Sequence, residues 1–364
     1  MSAAIALARR GLGVCAPNPA VGALIVRDGV ILARGWTQPG GRPHAETEAL
    51  ARLSEADRAD EARGATLYVT LEPCSHHGRT PPCAQAVIEA GVSRVVAALR
   101  DPDPRVGGRG FAMLRAAGVE TRESVCETQA LRANLGHVLR VTRNRPMVTL
   151  KLAMTADGFA AAREERRLMI TGDEANRATH MMRALHDAIL IGAGTARADD
   201  PLLTVRLPGL EGRRPLRVVL DPRLTLSPAS RLAQDARAAP VLVIAGEDAS
   251  HESAARLEAL GVEVACAPAD GEGRVDPRDA LALLAARGVT RLFCEGGPAL
   301  AESLLAADVV DELVLLKSPR RLDAPGLLAL RPERLAALDA GAVCEKTDAA
   351  RVGDDQLIRY SRIL

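Results

Sequence analysis

One histidine, two cysteines and a nearby carboxylate form the chemically most pointed set in this chain: His44-Ala45-Glu46, then Glu72-Pro73-Cys74, then Cys83 after Pro81-Pro82. An imidazole nitrogen and two thiolates close three corners of a zinc tetrahedron. The fourth is left for water, whose pKa the ion draws toward neutrality. Glu46, two residues past His44, is then placed to carry the proton without touching the metal.

These residues need elements to hold them. Ala65 to Leu71 is a short apolar run that predicts a buried strand, so Cys74 falls just past a strand's carboxyl end, where open α/β sheets place their ligands. Pro81-Pro82 ahead of an apolar-periodic run puts Cys83 in the first turn of a helix, and His44 likewise opens a helical run through Leu53. Both groups arrive at helix starts, where exposed amides favour a thiolate. A His-x-Glu followed by Pro-Cys and a second Cys is the order used by zinc deaminases of nucleobases, with the glutamate as acid and base. The gap between Cys74 and Cys83 is longer than the usual two residues, so a structural zinc half-site or plain buried thiols remain alternatives at this point.

Composition narrows the rest. A chain of 364 residues suits two domains, and 48% hydrophobic with 26% charged residues belongs to soluble globular proteins. Net charge is +1 and aromatics are 2%, so neither a basic field nor a stacking platform is present for nucleic acid. Both point to a small free substrate. Seven scattered cysteines do not form a disulfide framework; Cys15, Cys126, Cys266, Cys294 and Cys344 read as buried small hydrophobes. No apolar run of about 18 residues is long enough for a membrane span, and a cytoplasmic protein is expected. Homo-oligomerisation is left open.

Strands alternate with helices along the whole chain, which predicts α/β layers in both halves. Asp28-Gly29 between two apolar runs signals a hairpin. Arg140 to Pro146 interrupts the periodicity, so the domains are expected at 1–145 and 146–364. In the second, Gly192-Ala193-Gly194-Thr195 and Glu295-Gly296-Gly297-Pro298 each follow a strand and could bring backbone amides to a phosphate. Neither is the dinucleotide fingerprint, and alone each is more often a turn. The last two strands could pair antiparallel and make that sheet mixed.

Pro17 to Gly22, His44 to Glu46, Glu72 to Cys83 and Asp199 to Arg206 together, in this order, resemble the RibD family of fused pyrimidine deaminases and reductases of riboflavin synthesis. The likeness spans most of the chain. It implies a cytidine-deaminase-like α/β/α sandwich at the amino end and a dihydrofolate-reductase-like α/β domain at the carboxyl end. It implies zinc on His44, Cys74 and Cys83, with Glu46 catalytic, and Asn18 lining a pyrimidine pocket. NADPH is the implied second cofactor, with Met154, Met169, Thr195, Asp199, Gly297 and Pro298 at matching positions. Arg167, Arg183, Leu203, Arg206 and Glu295 match positions that contact a pyrimidine ribosyl phosphate. Asp199 is the first choice for a polar catalytic role and Lys151 the second.

The chain departs from the family pattern where a serine and a tryptophan usually precede Ile170-Thr171; here Arg167 and Met169 stand there. Met169 can offer nicotinamide a flexible apolar surface but no indole. The alternatives are a deaminase of another small base or nucleotide with an impaired reductase half, and a nucleotide-binding protein with structural zinc.

Overall fold

The computed structural model describes residues 1–78, 81–104, 106–162, 169–269, 272–341 and 344–363. The chain divides into two compact units, Met1–Asn144 and Arg145–Leu364.

The first unit runs α1 (Ser2–Ala8), β1 (Gly22–Arg27), β2 (Val30–Trp36), α2 (Ala45–Glu55), β3 (Thr66–Val69), α3 (Cys83–Glu89), β4 (Arg94–Ala97), α4 (Arg109–Ala116), β5 (Glu120–Arg122) and α5 (Glu127–Arg143). Its sheet has the order β2-β1-β3-β4-β5, with β1 antiparallel to β2 and β3 and the last three strands parallel. The β1–β2 hairpin turns through Asp28 and Gly29, both at positive φ as its tight turn requires. A core of Ile25, Leu53, Leu67, Val69, Val87, Val95 and Phe111 joins strands to helices. Gly35 is the residue that brings α2 close: a Cβ there would lie 2.1 Å from the Ala45 carbonyl oxygen. Any larger residue at position 35 would push the helix carrying Glu46 off the sheet.

The second unit runs β6 (Met147–Met154), β7 (Phe159–Ala162), α6 (Asp173–Ala184), β8 (Ala188–Gly192), α7 (Ala193–Asp199), β9 (Leu216–Leu220), α8 (Arg231–Gln234), β10 (Val241–Gly246), α9 (His251–Glu258) and β11 (Glu263–Ala267). It continues with α10 (Pro277–Ala286), β12 (Arg291–Cys294), α11 (Pro298–Ala306), β13 (Glu312–Lys317), β14 (Gly326–Leu328), α12 (Pro332–Asp339), β15 (Cys344–Val352) and β16 (Asp355–Arg362). Nine strands form one sheet, β11-β10-β9-β8-β12-β6-β13-β16-β15. The first seven are parallel, and β16 returns antiparallel between β13 and β15, so the sheet is mixed.

Strand alternation splits its core in two. Leu190, Leu242, Leu313 and Leu315 belong to one cluster, and Ile189, Ile191, Val243 and Val314 to the other. Three cysteine expectations need correction. Cys266 is exposed on β11, at the sheet edge, and Cys126 and Cys344 are only half-buried; Cys15 and Cys294 are buried. Side chains project to the faces of a sheet, and on this edge strand only Ala267 is buried.

Candidate functional site

His44 is the N-cap of α2 and Cys83 the first residue of α3, while Cys74 lies in the loop after β3. Their ligand atoms all fall within 4.8 Å of one another. The His44 Nδ1 is 3.8 Å from the Cys74 Sγ and 3.3 Å from the Cys83 Sγ. A tetrahedral zinc with its usual bond lengths separates such donors by roughly 3.5 to 3.8 Å. The donor set therefore fits zinc both in chemistry and in spacing. Among the described residues no fourth His, Cys, Asp or Glu joins the cluster, which matches a site with one open corner.

The electrostatics of the three groups interlock. The Cys74 sulfur receives a hydrogen bond from the Cys83 thiol, which outweighs burial and, with His44, brings its pKa down to about 4. The Cys83 amide also donates to that sulfur at 3.3 Å. The Cys83 thiol is pushed up in turn, by its bond to Cys74 and by burial, and His44 is raised chiefly by its contact with Cys74. Glu46, in the first turn of α2, is 3% exposed. Burial, followed by the negative Cys74 beside it, raises its carboxyl to about 7. A carboxyl poised there can both take and give a proton at neutral pH. Asn18 donates its side-chain amide to the Gly41 carbonyl at 2.7 Å, which fixes it upstream of His44.

The second constellation lies in the larger unit, at the carboxyl ends of β8 and β12. Arg183 on α6 meets Glu295 in a two-pronged ion pair, Nε to Oε1 at 2.5 Å and Nη2 to Oε2 at 2.8 Å, although 112 residues separate them. Its remaining nitrogen, Nη1, donates to the Thr204 carbonyl at 2.9 Å. Burial works to raise the Glu295 carboxyl, but Arg183 and then Lys151 outweigh it and hold it below the usual carboxylate range. Lys151 in β6 is pushed down by burial, with Glu295, Arg183 and Asp199 near enough to act on it. The Arg206 amide donates to the His180 Nδ1 at 3.2 Å, so α6 holds the Thr204–Arg206 segment at two points.

Thr195 accepts the Gly297 amide on its hydroxyl at 3.1 Å, joining the two glycine-containing turns. A Cβ on Gly297 would stand 2.9 Å from that hydroxyl. Pro298 begins α11, and no side chain caps that helix, so its first amides are left for an anion. That cradle suits the pyrophosphate of a dinucleotide.

Other expected residues are placed differently. Leu203 is 2% exposed and packs into the hydrophobic cluster of that unit, so only its backbone, at φ +52, can face a ligand. Met154 is buried at the end of β6, whereas Met169 is 51% exposed. Arg167 lies outside the described residues. His180 escaped the sequence reading; its only signal is a polar side chain one helical turn before Arg183 on an otherwise mixed surface.

Comparison with known proteins agrees in both halves. Residues 1–99 match the family described as the cytidine and deoxycytidylate deaminase zinc-binding region, and residues 146–326 match the RibD C-terminal domain. The riboflavin biosynthesis protein RibD of Aquifex aeolicus is 35% identical over 362 residues, covering 100% of this chain and 97% of the relative. The solved RibD of Acinetobacter baumannii superposes with a TM-score of 0.85 at 31% identity, covering 100% of this chain and 98% of that one. A Thermotoga maritima structure, described as a diaminohydroxyphosphoribosylaminopyrimidine deaminase/5-amino-6-(5-phosphoribosylamino)uracil reductase, gives 0.84 at 33% identity, with 100% and 97% coverage. This chain belongs to the RibD family, the bifunctional enzymes of riboflavin biosynthesis that join a zinc-dependent deaminase of cytidine-deaminase-like fold to an NADPH-dependent reductase.

Proposed function

We propose that the first unit deaminates 2,5-diamino-6-(5-phosphoribosylamino)pyrimidin-4-one and that the second reduces the ribosylamino group of the product to the ribitylamino phosphate. The observation that carries this reading is the convergence of His44, Cys74 and Cys83 with Glu46 buried beside them. The three ligands hold zinc, which when bound supplies a Lewis acid that makes a water molecule acidic near neutrality. Glu46 takes one proton from that water and gives it to the ring nitrogen, then takes the proton of the hydroxyl now on the ring carbon and passes it to the departing amine. The oxygen of water replaces nitrogen on the ring, and ammonia leaves. Asn18 lines the pyrimidine pocket.

In the second unit Thr195, Asp199, Gly297, Pro298, Met154 and Met169 hold NADPH, which supplies the reducing equivalents. Arg183 and Arg206 hold the substrate phosphate, and Glu295 with the Leu203 backbone orients the opened sugar. Asp199 is the first candidate for proton handling there and Lys151 the second. The substrate is a free small molecule and not a nucleic acid. Seven free cysteines suit a reducing cytoplasm, and no described helix is long and apolar enough to cross a membrane.

The test incubates the pure zinc-loaded protein with the diaminopyrimidinone ribosyl phosphate, with and without NADPH, and follows ammonia and product masses. Ammonia release without NADPH and a reduced product only with it are expected. Equal turnover of a base lacking the ribosyl phosphate would overturn the substrate, and a reaction that stops at the deaminated product would mark an impaired reductase half.

A further inference from the structure

We propose that Glu72 is a positioning residue for deamination: its carboxylate clamps the metal-ligand loop to the turn after β4 and to the start of α4, and thereby fixes Cys74. The inference rests on the zinc assignment above and goes beyond it, because Glu72 touches neither the ligand atoms nor Glu46.

Glu72 is 4% exposed. A carboxylate so placed is unfavourable unless its oxygens are fully hydrogen-bonded or paired with a cation. Among the described residues, its partners are four backbone amides. Oε1 accepts from Gly110 at 2.8 Å and Phe111 at 3.3 Å, and Oε2 accepts from Gly108 at 2.8 Å and Asp101 at 3.1 Å. Gly108 is the N-cap of α4 and has no side chain to offer, so Glu72 caps this helix from a distant part of the chain. The amide of Glu72 itself donates to the Leu99 carbonyl at 2.8 Å. Both loops follow neighbouring parallel strands, β3 and β4, and the one carboxylate fastens them together.

A second observation on the same contact is independent of the charge. A Cβ on Gly110 would lie 2.0 Å from the Pro73 carbonyl oxygen, so α4 rests directly on the residue before Cys74. On the other side, the Cys74 carbonyl accepts the Ala84 amide at 3.1 Å and its sulfur accepts the Cys83 amide. Cys74 is thus held between two helix starts, by Glu72 and Pro73 toward α4 and by its own backbone and sulfur toward α3. Without the carboxylate the α4 side keeps only the Pro73 contact and the Glu72 amide bond to Leu99, so Cys74 is held less firmly when the metal binds. Groups that orient metal ligands are commonly worth about 10- to 100-fold in affinity or activity.

Three full-length variants test this: Glu72→Gln, which turns a carboxamide NH2 toward two amide donors; Glu72→Asp, which keeps the charge on a shorter arm; and Gly110→Ala, which keeps the carboxylate group but lifts α4 away from it and from Pro73. Zinc affinity is read by chelator competition, with deaminase kcat at saturating zinc and reductase rate on the deaminated compound measured beside it. Glu72→Gln and Gly110→Ala are expected to weaken zinc binding about 10- to 100-fold and to lower deaminase kcat, with Glu72→Asp recovering part of the loss and reduction unchanged. Should Glu72→Gln fail to fold, the other two carry the test. Zinc affinity and kcat within twofold of the parent in the folded variants would overturn the proposal, as would reduction falling in parallel. A parent protein that binds no zinc would instead remove the metal assignment itself.

Discussion

The two candidate sites solve the problem of buried charge in opposite ways. The metal centre gathers one imidazole and two sulfurs beside the buried Glu46 carboxyl, and leaves their charge for an ion to neutralise. The reductase site pairs its charges internally: Arg183 grips Glu295 with two nitrogens, and Lys151 lies within their field. A resident metal can be counted on as a partner. A cofactor and substrate that leave each cycle cannot, so the side chains that receive them must be stable when alone.

The sharpest way to break this comparison is Glu46→Gln. It keeps the volume and removes the proton carrier, so deamination should fall by about 10² to 10⁴-fold or more, while zinc content and NADPH-dependent reduction of supplied deaminated substrate stay at parent levels. Steady-state assays of both reactions with metal analysis decide it. Undiminished deamination would remove Glu46 from the chemistry, and a parallel fall in reduction would mean the two sites are not separable.

Next in size is Arg183→Met, which leaves the Glu295 carboxylate buried without its guanidinium. Removing one partner of a buried pair costs roughly 3 to 5 kcal/mol, trimmed here by Lys151. Thermal unfolding should shift down, reduction should slow, and deamination at a temperature below the transition should not change. Adding Glu295→Gln should restore much of the stability and none of the reduction. If the double variant is as unstable as the single one, the pair is not self-neutralising and the contrast drawn above is wrong.

How far each site could be read beforehand follows from the same contrast. His44, Cys74 and Cys83 stand in short motifs at helix starts, and the proline and apolar signals around them predict those starts; α2 begins at Ala45 and α3 at Cys83 as expected. Nothing in spacing joins Arg183 to Glu295, which meet only because β8 and β12 pair in the sheet. Glu72 opens a motif, yet its partners at 101–111 are set by the pairing of β3 with β4. Two elements carry no sequence signal for a related reason. Helix α7 carries one buried residue, Ala196, and so no apolar stripe, and β15 is polar and exposed along nearly its whole length, formed by its pairing with β16. Conversely, the strands of the parallel sheet announce themselves because both faces are buried.

Two histidines carry the comparison down to a smaller effect. His186 is buried with both nitrogens engaged, Nδ1 with the Met182 carbonyl at 2.6 Å and Nε2 with the Thr149 hydroxyl at 3.0 Å. Burial, then Arg291, lowers its pKa to about 3. His137 on α5 is lowered to about 4 by burial and then Arg140, but its buried Nδ1 has no hydrogen-bond partner among the described residues. Both rings are neutral in the fold, whereas the unfolded chain protonates near pH 6.5. Stability is therefore complete above that pH and is lost as pH falls through the window down to about 4 for His137 and 3 for His186, by up to about 1.4 kcal/mol per pH unit for each. His137→Leu removes no hydrogen bond, so it should leave neutral-pH stability intact and flatten the acid loss around α5. His186→Leu should flatten the loss around β8 but destabilise at every pH, because the Thr149 hydroxyl and Met182 carbonyl lose their partner. Hydrogen exchange at α5 and β8 between pH 7 and 4.5 separates the two; an unchanged acid slope in His137→Leu would show that this ring protonates freely in the folded protein.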